Sequence, residues 1–237
     1  MKEIVTDNIA LNITDGSSMS AFVAQPADNN EHPGILVFQE AFGVNAYIRD
    51  IAMRFAKEGF IAVAPELFHR TAHGFEGSYA DFQGTVKHIQ SLTEEGLVHD
   101  INAVYTWLNE NPKLKKEEIA SIGFCMGGRI SFLANTAVKL KAAISFYGSN
   151  IPSLLHRVDK ISAPQLMFWG GLDKHINKDQ ISAVTDSLTK NEKDFINVIV
   201  SFADHGFFCD ARQSYNVNAA KNAWALVNSF LDTYVEK

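Results

Sequence analysis

The chain is short of the features that mark several large classes of protein. Of its 237 residues only Cys125 and Cys209 are cysteines, so no disulfide framework is expected and both should be thiols in a reducing compartment. Basic residues are outnumbered, 21 Lys and Arg against 27 Asp and Glu, for a formal net charge of −6. The one basic run, Lys113-Leu114-Lys115-Lys116, reads as a solvated loop before a strand. This balance argues against nucleic acid and against an anionic membrane as the main partner. No apolar stretch approaches the ~18 residues of a membrane span. Lys2, Glu3 and Asp7 interrupt the N-terminus where a signal peptide needs continuous apolar residues. The expected setting is therefore the cytoplasm. No internal repeat, low-complexity tract or long linker divides the chain, so residues 1–237 are expected to form a single domain.

What is present is an alternation of short apolar runs and helical patterns. Residues Ile9–Thr14 and Met19–Ala24 alternate apolar and polar side chains around Asp15-Gly16-Ser17-Ser18, an antiparallel hairpin that closes one edge. The runs Gly34–Gln39, Phe60–Ala64, Ile119–Phe124, Ala142–Phe146, Gln165–Trp169 and Ile196–Phe202 have the composition of strands covered on both faces. Helical patterns fall between them, over Tyr47–Lys57, Tyr79–Leu92, Leu97–Asn109, Arg129–Leu140, Lys178–Thr189 and Asn218–Tyr234. In the last, Ala220, Trp224, Val227, Leu231 and Tyr234 form one stripe. The class expected is α/β, a mostly parallel central sheet with helices on both faces, where ligands gather at the carboxyl ends of the strands.

At one such end the chain reads Gly123-Phe124-Cys125-Met126-Gly127. This is the spacing of a nucleophile elbow, Gly-x-Ser-x-Gly, with cysteine at the centre. The flanking glycines let strand and helix approach closely, and the helix that follows points its free N–H groups at the sulfur, which favours an anion there. A dinucleotide-binding turn is the competing reading, since Gly123, Cys125 and Gly128 occupy the three glycine positions of Gly-x-Gly-x-x-Gly. A side chain at the second position blocks the approach of a pyrophosphate. There is also no Asp or Glu between Ile119 and Val158, where a ribose-binding carboxylate is expected roughly 20 residues on.

A nucleophile of this type needs a base and a group to orient it, in the chain order nucleophile, acid, histidine. Asp173, in Gly170-Gly171-Leu172-Asp173, directly follows one apolar run, and His205, in Ala203-Asp204-His205-Gly206, directly follows another. His175 and Asp204 compete for these roles, but each is too near in sequence to the partner it would need. Glu40 ends the first buried run, in Gln39-Glu40-Ala41-Phe42-Gly43-Val44-Asn45. All four positions belong to one rim of the sheet.

With these motifs and Asp204-His205-Gly206-Phe207, the chain resembles the dienelactone hydrolase family of the α/β-hydrolase superfamily over nearly its whole length. The resemblance implies a triad of Cys125, Asp173 and His205. It implies a glutamate, Glu40, held against the thiol at rest and displaced by substrate, and an oxyanion hole formed by the backbone N–H groups of Met126 and Ala41. It implies hydrolysis of a small ester or lactone without cofactor or metal. One departure stands out. The family's namesake grips a substrate carboxylate with two arginines, one before the elbow and one four residues after the histidine. Here the latter position is Cys209, and no arginine occurs between Thr71 and Gly128, which sets dienelactone itself in question. Arg70 and Arg212 are the nearest in sequence.

The segment Leu67–Tyr79 carries three aromatic residues among glycines and is the expected specificity element. Phe42, Phe82, Tyr147, Trp169, Phe207 and Phe208 are candidates to line an apolar pocket with Arg70 and Cys209. His69 and His73 have a metal-like spacing, but Gly74 and Gly77 disfavour a helix there and no third ligand is evident, so no metal is expected. Two further readings stay open: reversible disulfide chemistry between Cys125 and Cys209, and a non-catalytic relative that only binds a ligand. The oligomeric state is not legible.

Overall fold

The computed structural model describes residues 2–237. The chain opens with β1 (Ile4–Asn12) and β2 (Ser18–Pro26), paired antiparallel from Ile4↔Pro26 to Asn12↔Ser18. Gly16 supplies the positive φ of 87° that the turn between them requires. Then follow β3 (His32–Phe38), α1 (Ala46–Glu58), β4 (Ile61–Pro65), α2 (Gln83–Ser91), α3 (Glu94–Asn109), β5 (Leu114–Phe124), α4 (Met126–Ala137) and β6 (Ala142–Phe146). A 3-10 helix over Ile151–Lys160, which the sequence pattern did not signal, leads to β7 (Gln165–Gly170), α5 (Lys178–Lys190), β8 (Phe195–Val200) and α6 (Val217–Tyr234).

All eight strands form one sheet in the order β1-β2-β4-β3-β5-β6-β7-β8. Only the pairings of β1 with β2 and of β2 with β4 are antiparallel. Helices cover both faces: α1 packs on β2 and β4, α4 on β5 and β6, and α6 on β6 and β7. The order in which strands are added reverses between β3 and β5, which run parallel and side by side with Phe38 opposite Gly123. In a sheet of this kind that reversal leaves a crevice at the strands' carboxyl ends. The residues just beyond those ends include Glu40 and Cys125.

The apolar runs of β3, β4, β6 and β7 are buried along their whole length, as expected for strands covered on both faces. β8 is not. It is the last strand of the sheet, and Ile196 and Ile199 are 40% and 52% exposed. An apolar run records side-chain type and carries no information about which strand ends the sheet. Three smaller expectations also shift. Lys115 and Lys116 lie within β5, whose early part is irregular, with Glu117 at φ 64°, so the basic run is not a loop. Tyr79 precedes α2 instead of belonging to it. The buried face of α6 is turned to include Ala223 and Phe230, and Tyr234 is 39% exposed.

One buried polar cluster ties the hairpin to the helix layer. Asp100 of α3 is fully buried. Its oxygens accept from Arg70 at 2.8 and 2.9 Å and lie 3.1 Å from His69 Nε2, while Arg70 also bonds Asp15 in the hairpin turn at 2.8 Å. Removing one partner of such a cluster leaves the others desolvated and unpaired. Asp100→Ala is expected to lower unfolding free energy by about 3 kcal/mol, measured by urea denaturation, and an effect below ~1 kcal/mol would show that the cluster is not stabilising.

Candidate active site

The turn from β5 into α4 is built by close approach of backbone to backbone. A Cβ at Gly123 would run into the carbonyl of Gly127, and one at Gly127 would run into the carbonyls of Phe38 and Gln39. Only glycine fits either place. Between them Cys125 caps α4 with φ 54° and ψ −117°, outside the regions that a side chain ordinarily allows. Its conformation is held by four backbone hydrogen bonds: its N–H donates to Phe146 O at 3.0 Å, and its carbonyl accepts from Gly128 N at 3.0 Å, Ser149 N at 3.2 Å and Arg129 N at 3.4 Å. The sulfur is left partly exposed at the start of the helix.

His205 sits beside it. Its Nδ1 lies 2.7 Å from Asp173 Oδ2, with the carboxylate's side chain 1% and the imidazole 8% exposed. The other carboxylate oxygen accepts from the backbone N–H groups of His175 at 2.7 Å and Ile176 at 3.2 Å. Burial alone would raise Asp173, but these hydrogen bonds, His205's first, hold it below the ordinary carboxylate range. Burial alone would lower His205, but the charge of Cys125 and the bonds to Asp173 and Cys125 outweigh it and push the imidazole up to about 10. With Nδ1 committed to Asp173, Nε2 is the nitrogen left for the thiol.

Glu40 is fully buried, and neither of its oxygens bonds Cys125. Oε1 accepts from Arg212 Nη1 at 3.1 Å and Oε2 from the Tyr79 hydroxyl at 2.9 Å. Burial raises its carboxyl, with Arg212 and Tyr79 acting against the rise. The Tyr79 oxygen in turn accepts from Asn45 Nδ2 at 3.1 Å and from the Cys209 thiol at 3.3 Å. Burial, with the nearby charge of Glu40, pushes Cys209 up to about 12. Arg212 lies over the rings of Phe42 and Tyr79, 6.0 and 5.9 Å from their centroids. Gly206, at φ 78°, makes room for it: a Cβ there would strike the guanidinium. The backbone N–H groups of Met126 and Ala41 have no acceptor among the described residues.

Several expected pocket residues gather here and others do not. Tyr147, in the left-handed region at φ 37°, is buried with its ring 5.0 Å from that of His205, and Phe207 packs on it at 5.5 Å. The Tyr147 hydroxyl has no hydrogen-bond partner among the described residues. Phe42 packs on Tyr79 at 4.6 Å. Phe82 is 56% exposed, and Phe208 is buried against Phe124 and Phe146. Arg70 is spent on Asp15 and Asp100 and is not a pocket residue. Trp169 turns its Nε1 to Asn197 on β8, 2.6 Å away, and belongs to the core. Asp204 is exposed and accepts from the His205 N–H at 2.6 Å, and His175 is exposed with its ring 5.4 Å from that of His205. His69 is turned to Asp100, and His73 is exposed. Among the described residues no group of His, Cys, Asp and Glu is arranged to hold a metal ion. No helix is long and apolar enough to cross a membrane. Sequence reasoning missed Tyr79 as the hub of the Glu40 network. The signal available was a tyrosine in the glycine-rich segment already singled out for specificity.

A doubly flanked parallel sheet with a strained elbow at the centre and a histidine–carboxylate pair on the same rim is an α/β hydrolase. Comparison with known proteins narrows the class. The sequence profile of the dienelactone hydrolase family matches residues 19–235. A Synechocystis sp. protein provisionally named a carboxymethylenebutenolidase is 35% identical over 91% of this chain and 92% of its own. A similarly named protein of Saccharolobus solfataricus is 34% identical over 97% of each chain. The crystal structure of a protein from Klebsiella pneumoniae, provisionally described as a dienelactone hydrolase, superposes with a TM-score of 0.88 at 28% identity, covering 98% of this chain and all of that one. The chain belongs to the dienelactone hydrolase family.

The raised imidazole gives a signed pH dependence. A proton held more tightly in the folded than in the unfolded state adds stability that is complete below the usual value of ~6.5 and is lost as pH rises through the folded one, about 10. Relative to a His205→Gln variant, the wild type is expected to lose stability between those limits in urea denaturation. Because the charge of Cys125 is the first of the causes that raise the ring, Cys125→Ala should bring the imidazole titration, followed by NMR, down toward the ordinary range.

Proposed function

We propose that the protein hydrolyses a small ester or lactone through a thioester on Cys125, with His205 and Asp173 completing a triad. The observation that carries this reading is the buried 2.7 Å contact of His205 Nδ1 with Asp173 beside a cysteine on a strained elbow. Asp173 fixes the tautomer, so that Nε2 faces the thiol. Cys125 Sγ, its proton already held by the raised imidazole of His205, attacks the carbonyl carbon, and His205 then delivers that proton to the departing alkoxide. Water, deprotonated by the same imidazole, attacks the thioester, releasing the acid and returning the thiol. Charge on the tetrahedral oxygen falls to the Met126 and Ala41 N–H groups, each worth ~3 kcal/mol in reactions of this kind. Both are without an acceptor, as such a role requires.

Glu40 holds Arg212 and Tyr79 in place around the nucleophile in this arrangement. By the family resemblance it also assists ionisation of the thiol when it turns toward Cys125, the proton being carried by His205. No cofactor or metal enters the scheme. The alternative of disulfide chemistry is poorly supported, since Cys209 is buried and hydrogen-bonded to Tyr79 and its burial favours the thiol over the attacking thiolate. Free thiols at both cysteines suit a reducing compartment such as the cytoplasm.

A panel of small aryl esters and lactones, dienelactones included, tests the reading. Intact mass should show an acyl adduct on Cys125 with turnover, and Cys125→Ala should abolish both. Full activity in Cys125→Ala would refute it. Asp173→Asn, which keeps the shape but releases the tautomer, is expected to lower kcat by about 10³–10⁴-fold.

A further inference from the structure

The segment that carries Ala41 has no regular structure of its own. Between Ala41 and Val44 the backbone receives only two hydrogen bonds among the described residues: the Gly77 N–H donates to the Phe42 carbonyl at 3.0 Å, and Arg49 Nη1 donates to the Val44 carbonyl at 2.6 Å. Both come from outside the segment, one from the glycine-rich loop after β4 and one from near the start of α1. A third contact is steric. A Cβ at Gly43, where φ is 78°, would strike the Phe75 carbonyl, so the loop lies directly against the segment.

That loop is itself anchored. Glu66, buried just past β4, accepts from the N–H groups of Gly74 and Phe75, and the Phe75 ring packs on His88 of α2 at 4.4 Å and on Phe68 at 5.7 Å. The next residue, Glu76, receives Arg49 in a bidentate pair, Nη1 to Oε1 at 2.6 Å and Nη2 to Oε2 at 3.2 Å. One planar guanidinium thus clasps the anchored loop to the Ala41 segment. The pair is part-exposed, 34% for Arg49 and 47% for Glu76, and pairs of that kind contribute little to overall stability. Its use is geometric. A backbone donor stabilises developing charge only when it is already aimed at the place where that charge will form. The Ala41 N–H is fixed by β3 on one side and by this clasp on the other.

We propose that Arg49 is a positioning residue for the oxyanion hole, keeping the Ala41 N–H on its aim by tying the Val44 carbonyl to Glu76. The inference rests on the acyl-transfer reading of Cys125. It gives a surface ion pair outside the triad a consequence for one step only: attack on an ester carbonyl is impaired without the clasp, while the thiol and its base are not.

Two reactions of the same thiol separate these steps without any knowledge of the natural substrate. p-Nitrophenyl acetate acetylates Cys125 through a tetrahedral oxyanion, releasing p-nitrophenolate, whereas iodoacetamide alkylates it with loss of iodide and forms no oxyanion. Both draw on Cys125 and His205, so the ratio of the two rate constants isolates the oxyanion hole. In Arg49→Met, which keeps an unbranched stem without donors, the acylation-to-alkylation ratio is expected to fall about tenfold, part of the roughly 10²–10³ that a deleted donor costs. Arg49→Lys, with one donor nitrogen in place of the fork, should lie between. Arg54→Met removes another part-exposed, carboxylate-paired arginine of α1 and should leave the ratio unchanged. An unchanged ratio in folded Arg49→Met, or an equal fall in Arg54→Met, overturns the proposal. Should Arg49→Met not fold, Glu76→Ala, which frees the loop end of the clasp at an exposed position, is expected to lower the ratio, and an unchanged ratio there overturns it. Wild-type Cys125 that alkylates but takes no acetyl group would instead remove the acyl-transfer reading and this inference with it.

Discussion

Backbone pressed against backbone at the end of β5 is the constraint from which the site follows. Gly123 against the Gly127 carbonyl, and Gly127 against the carbonyls that end β3, leave one way for the chain to turn into α4. That turn forces the residue at its apex to a φ of 54°. A cysteine at the apex is lifted out of the sheet and set at a helix start, where unpaired N–H groups face it. The cost of the strained conformation is met by four hydrogen bonds to the Cys125 backbone. Everything else in the site is placed by where neighbouring strands end relative to that apex.

A second layer of the site is electrical. A buried carboxylate is unfavourable unless it is matched, and Glu40 is matched by groups far away in the chain: Tyr79, 39 residues on, and Arg212, 172 residues on. The network therefore holds the first half of the chain to the last loop before α6. In Cys209 this chain has a thiol where the family's namesake has an arginine, and the cation near Cys125 comes from Arg212 instead, directed inward to Glu40.

Much of this was legible in the sequence. Strands covered on both faces write themselves as unbroken apolar runs, and Cys125, Asp173, His205 and Glu40 each follow such a run, so their shared rim could be read before the sheet order was known. What escaped the sequence depends on partners. Whether β8 is covered depends on its rank in the sheet, and the facing of α6 depends on what packs beneath it. Arg70 and Arg129 look equally available as residue types, yet one is consumed by Asp15 and Asp100 and the other has no side-chain partner among the described residues. Trp169 is an aromatic residue at a strand end, but its indole N–H is claimed by Asn197 across the strand pair. Such assignments belong to the tertiary structure.

The exposed position of β8 bears on how the protein would fail. Cys125 hangs from β5, a central strand bonded on both sides, whereas the His205 imidazole hangs from the outermost strand, bonded on one side only. Outer strands belong to the parts of a fold that open locally at low free energy. Mild stress would therefore detach His205 from an otherwise intact elbow, so that on the proposed mechanism loss of turnover is a local event that runs ahead of the collapse of the sheet. The protein would be silenced reversibly, with its core still assembled, at stresses well short of those that unfold it.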